Sequence, residues 1–175
     1  METIDMIIKS STEFYNDLKA DEHDRYRSWE HCYSHFMTAR KENDVNLDYL
    51  SLQLAFYLAS WGMYRGSSFL LQKNYRVHIP VVSEILSNKY DSLAGIECKD
   101  FRNESNQKLL KEINEFIANY YDGFRREVKG PALKNNLSET LITKILMGTL
   151  GCVPASDRYF VSGIRSRKIA SGTYN

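Results

Sequence analysis

The chain has 175 residues, with 23 Lys and Arg against 22 Asp and Glu and a net charge of +1. That length suits one domain, and the even charge excludes bulk attraction to nucleic acid or an acidic membrane, so any such binding must come from a local patch. Three widely spaced cysteines (Cys32, Cys98 and Cys152) and the lack of a Cys-x-x-Cys pair argue against a disulfide framework or a cysteine zinc site, and point to a reducing, cytoplasmic setting.

Asp5 interrupts the short apolar run at the N-terminus, so no secretory signal is expected, and no stretch approaches the length of a transmembrane helix. Ile4, Ile7, Ile8, Phe14 and Leu18 mark a first helix. Trp29, Cys32, Tyr33, Phe36 and Met37 mark a second, over about 24–41. Asn46 or Asp48 can cap a third, apolar nearly all round from Leu47 to Trp61 and therefore central. Gly62 and Gly66 end it, and Ser67 or Ser68 can cap a short fourth helix over 69–73. Pro80 suits the first turn of a fifth over 81–89, and 91–103 is predicted to be a loop. Leu109, Leu110, Ile113, Phe116, Ile117 and Tyr120 mark a sixth, amphipathic helix. After a connection over 129–136, an apolar helix runs from Ser138 to Leu150, with Gly151 at its C-cap and Pro154 as its stop. Ser156 or Asp157 can cap a last helix, 158–165. The only strand-like alternation is Tyr75 to Ile79, before a proline and without a partner. These elements predict an all-α fold: a compact single domain over 1–168, a bundle of seven or eight helices around 47–61, and a frayed tail over 169–175.

The 12 Tyr, 8 Phe and 2 Trp suit an aromatic core with wet edges, or a base-stacking surface. Arg65-Gly66-Ser67-Ser68 sets a guanidinium and two hydroxyls between apolar runs. A buried charge must be paired or must serve a ligand, so Trp61, Arg65, Ser67, Ser68 and Gln72 are predicted to line a polar pocket for an anion, either a phosphate-bearing ligand or nucleic acid. Arg165, Arg167 and Lys168 form a basic run that, with Arg158 ahead of it, can track phosphates or simply end a helix. His31 and His35 are one turn apart, but a stable metal site needs a third ligand, so neither metal nor cofactor is expected. A second copy of the chain is a further expected partner; a membrane is not.

Two local resemblances add enzymatic alternatives. Val153-Pro154 and Asp157, after an apolar helix, resemble the loop of helix-hairpin-helix DNA glycosylases, with one residue more between proline and aspartate. The resemblance implies base excision with Asp157 as the catalytic carboxylate; Lys144, inside the helix, does not match that family's lysine. Arg25 to His31 is similar to the arginine–histidine motif of the all-α HEPN ribonucleases, which implies RNA cleavage by Arg25 and His31 at a dimer interface. Residues 26–76 and 137–160 also resemble a group of small bacterial proteins to which no activity attaches.

Overall fold

Leu47 to Ser60 form the helix on which the others assemble, and its fully buried side chains Leu54, Tyr57 and Leu58 sit at the middle of the core. The computed structural model describes residues 3–66, 68–128 and 137–167. Among them the chain is all-α, with seven helices, five short 3₁₀ turns and no strand. The helices are α1 (Thr3–Ala20), α2 (Ser28–Ala39), α3 (Leu47–Ser60), α4 (Ile79–Ile85), α5 (Glu104–Glu127), α6 (Glu139–Thr149) and α7 (Arg158–Ser166). α3 packs against α2, α4, α6 and the 3₁₀ turn Tyr75–His78, while α5 packs on α4, α6 and the 3₁₀ turns Asn88–Leu93 and Cys98–Arg102. Phe36 of α2, Val81, Val82 and Ile85 of α4, Ile113 and Ile117 of α5, and Ile145 and Leu146 of α6 close the core around α3. No helix among the described residues is long and apolar enough to cross a membrane.

The helix ends follow their caps. Asn46 accepts from the Tyr49 amide at 2.9 Å and starts α3. At its end the Gly62 and Met63 amides donate to Ala59 and Leu58. Arg40, at the end of α2, donates to Asp91 at 2.8 Å and to the Ile85 carbonyl at 2.5 Å, tying α2 to α4 and the turn after it. Gly151 ends α6 with φ +65°, a conformation that L side chains rarely adopt. A Cβ there would also lie 2.7 Å from the Tyr33 ring. Gly151→Ala is therefore expected to cost about 2 kcal/mol, the left-handed penalty plus the shift of Tyr33, read as a lower urea midpoint with unchanged slope.

Several local expectations need correction. The second helix is shorter than 24–41, because Asp24 accepts from the Tyr26 amide at 2.7 Å and so caps a separate 3₁₀ turn, Arg25–Arg27. The expected helix over 69–73 is one 3₁₀ turn, Phe69–Gln72, capped by Ser68. The fifth helix starts two residues early and stops at Ile85. The strand-like Tyr75–His78 and the expected loop 91–103 hold further 3₁₀ turns, where main-chain bonds close over three residues and leave little periodicity to read. α3 is not buried all round: Tyr49, Leu52 and Phe56 form an exposed stripe. In α1 only Leu18 is buried among the described side chains, and Ile4, Ile7 and Ile8 face out. The connection 129–136 and the tail 169–175 lie outside the described residues.

Candidate functional site

α6 carries a lysine into the interior. Lys144 stands among Leu141, Ile142, Ile145 and Leu146 and is 4% exposed. Its Nζ donates to the Trp61 carbonyl at 3.0 Å and lies 5.2 Å from the centre of the Trp61 ring. An ammonium has three donors; among the described residues that carbonyl is its one hydrogen-bond acceptor, and no carboxylate stands within ion-pair distance. Burial therefore pulls the amine below the usual lysine range. The charge of Asp157 acts against that shift and the charge of Arg65 adds to it.

Lys144 thus joins residues that the sequence placed in two unrelated constellations: Trp61 and Arg65 from the end of α3, and Asp157 from the start of α7. Trp61 also carries a buried indole N–H with no partner among the described residues. Its ring meets Tyr26 edge-on at 5.2 Å and Tyr57 at 5.8 Å, and Phe14 of α1 packs on Tyr26 at 6.0 Å. The Tyr57 hydroxyl donates to the Lys144 carbonyl at 3.1 Å, so α3 grips α6 at the residue that bears the amine.

Arg65 is not in the interior, as its apolar flanks suggested. It is exposed, with its guanidinium laid over the backbone of Gly62; a Cβ on Gly62 would come 2.8 Å from Arg65 Nε. The turn after α3 brings the chain to the surface before the arginine is reached. Asp157 caps α7, its Oδ1 accepting from the Tyr159 and Phe160 amides at 3.0 Å each. Ser68 spends its hydroxyl on the Leu70 amide, Ser67 lies outside the described residues, and Gln72 is exposed in a different place, lining a groove between the 3₁₀ turns and α5.

The remaining candidates are scattered. Arg158 stacks on Tyr159 and donates to its hydroxyl at 2.7 Å; Arg167 reaches the Met6 sulfur at 3.1 Å; Arg165 is exposed; Lys168 lies outside the described residues. Arg25 lies over the Tyr26 ring and is bonded to its hydroxyl, while His31 is exposed with no hydrogen bond among the described residues. His35 stands 3.3 Å from the Tyr49 hydroxyl. No three His, Cys, Asp or Glu side chains among the described residues converge to hold a metal ion.

Two interior polar groups escaped the sequence reading. The signal for Lys144 is that a lone lysine in Leu141-Ile-Thr-Lys-Ile-Leu-Met147 breaks an apolar run. His78 is fully buried, with Nε2 2.7 Å from the Tyr64 hydroxyl and Nδ1 2.5 Å from that of Tyr121. No protein-family model, curated protein or solved structure matches this chain.

Proposed function

We propose that this protein is a binding module whose site is the cluster around Lys144, and that it takes a phosphate-bearing anion there. The observation that carries this reading is the unpaired burial of Lys144. A charged amine removed from water costs several kcal/mol unless a counter-charge meets it, and the nearby Asp157 has spent one oxygen on the α7 cap. Arg65 at the surface adds a second cation, and the Trp61 indole N–H is a third donor in search of an acceptor. An anion entering beside Lys144 would supply the counter-charge that the amine lacks.

The test is calorimetric titration with inorganic phosphate, pyrophosphate and a short oligonucleotide at low salt. At least one should bind, and Lys144→Met should weaken that binding at least tenfold while leaving stability within about 1 kcal/mol of wild type, because an apolar near-isostere relieves the desolvation of the amine. Arg65→Gln should weaken it less. Silence from the folded wild type with all three probes, or undiminished binding by Lys144→Met, overturns the reading.

A second reading, base excision with Asp157 as the carboxylate, is favoured by one observation: the α7 amides hold the carboxylate fixed within the field of the Lys144 amine. Asn caps helices as well as Asp does, so Asp157→Asn should keep the fold. Abasic-site formation on modified duplexes by wild type and not by that variant would support excision; equal activity, or none, removes it.

A further inference from the structure

A groove of about 460 Å³ runs between α5 and the segment from Gln72 to Pro80, remote in sequence from Lys144. Its volume falls in the range of small-molecule sites, roughly 300–1,000 Å³. One wall is aromatic. Tyr120 and Phe124, one turn apart on α5, line it and meet edge-on at 5.2 Å, while Phe116, a turn earlier and outside the lining, lies parallel to Tyr120 within 7°. The Tyr120 hydroxyl donates to the Val77 carbonyl at 2.9 Å, which fixes that ring across the groove.

The facing wall is cationic and amide-bearing. Lys73 Nζ sits 5.0 Å over the Phe124 ring and 3.7 Å from Glu127. Arg76 stands 3.6 Å from Asp48, a carboxylate that already accepts from the Tyr75 hydroxyl at 2.9 Å. Both ion pairs are longer than a hydrogen bond and exposed on at least one side, so each holds its cation weakly. The Gln72 side chain is exposed, and among the described residues Asn74 uses only its oxygen, on the Arg76 amide. Flat apolar rings beside two loosely held cations and two amide groups complement a ligand that is planar at one end and phosphorylated at the other.

We propose that this groove binds a nucleotide unit: Lys73 leaves the Phe124 face to hold the phosphate with Arg76, and the base takes its place against Phe124 and Tyr120. The shared chemistry admits a free mononucleotide or one residue of a single strand. Stacking on aromatic rings is worth about 1–3 kcal/mol per base, or roughly 5- to 150-fold in affinity, and phosphate contacts make binding fall with salt.

The test titrates adenosine 5′-monophosphate, adenosine, ribose 5-phosphate and a short single-stranded oligonucleotide into the whole protein. The mononucleotide should bind at least about fivefold tighter than either fragment. Phe124→Leu should cost about fivefold or more, and Lys73→Gln with Arg76→Gln about tenfold together with most of the salt dependence. The charge variants are at the surface and keep the test valid if Phe124→Leu unfolds. A strand that binds tighter than the mononucleotide names nucleic acid as the source, and equal affinity names the free nucleotide; both support the site. Binding of ribose 5-phosphate as tight as that of the nucleotide, unchanged affinity in the charge variant, or no binding by the folded wild type overturns the proposal.

Discussion

Gly148→Ala is expected to destabilise the protein by about 2–3 kcal/mol, although alanine at an open helix position would stabilise by about 1 kcal/mol relative to glycine. Gly148 lies in α6 where it crosses α3, and a Cβ there would stand 2.4 Å from Tyr57 Cε1 and 2.8 Å from Cδ1. A flexible side chain could move aside; this ring cannot. It is fully buried, packed on Trp61, and tied by its hydroxyl to the Lys144 carbonyl. The two helices must separate or the ring must tilt, and either shifts the residues that hold the Lys144 amine. Urea unfolding checks the magnitude, and a double-mutant cycle checks the cause. With Tyr57→Leu in place the added methyl has room, so Gly148→Ala should cost at least about 1 kcal/mol less there than in wild type. An additive pair would mean that the close approach of α3 and α6 does not set the cost.

That crossing also shows where sequence reasoning reaches and where it stops. The apolarity of Leu47 to Trp61 was enough to place α3 at the centre, since Leu54 and Leu58 are fully buried. It could not say which stripe would stay outside, because Tyr49, Leu52 and Phe56 are as apolar as their buried neighbours. Caps were legible as chemistry: Asn46, Ser68 and Asp157 all accept main-chain amides from the turn that follows. Arg65 misled because its flanks are apolar, and the direction of a turn is set by backbone torsions that hydropathy does not report. Lys144 is hard to read for the converse reason. α6 is buried on nearly every side, so periodicity gives no outward face to which a lysine could be assigned, and its burial follows only from the approach of α3 and Trp61. The meeting of Tyr64, His78 and Tyr121 joins the turn after α3, the 3₁₀ turn Tyr75–His78 and α5, and nothing local encodes it.

The second large effect belongs to His78, as a dependence of stability on pH. Its ring is fully buried and bonded at both nitrogens by tyrosine hydroxyls, and burial pulls its pKa from 6.5 down to about 3. Neither tyrosine offers a counter-charge, since burial raises both phenols, Tyr64 to about 12 and Tyr121 well above its ordinary value. In the unfolded chain the imidazole takes a proton near pH 6.5; in the folded protein it refuses one until about pH 3. The unfolded state therefore binds more protons throughout that window. The stabilisation is complete above pH 6.5 and is lost as the pH falls toward 3. Each tenfold difference in proton affinity between the two states is worth about 1.4 kcal/mol. This one residue should therefore remove about 2 kcal/mol between roughly pH 8 and pH 5. His78→Gln keeps a donor and an acceptor between Tyr64 and Tyr121 without titrating. It should start less stable, by about 1–3 kcal/mol for an imperfectly matched buried polar group, and then lose about 2 kcal/mol less than wild type over the same acid interval. Urea unfolding of both proteins at the two pH values measures this directly, and their difference cancels every group they share. Parallel loss in the two proteins would mean that the buried ring takes up its proton in the folded state, and that the tyrosine pair accommodates an imidazolium.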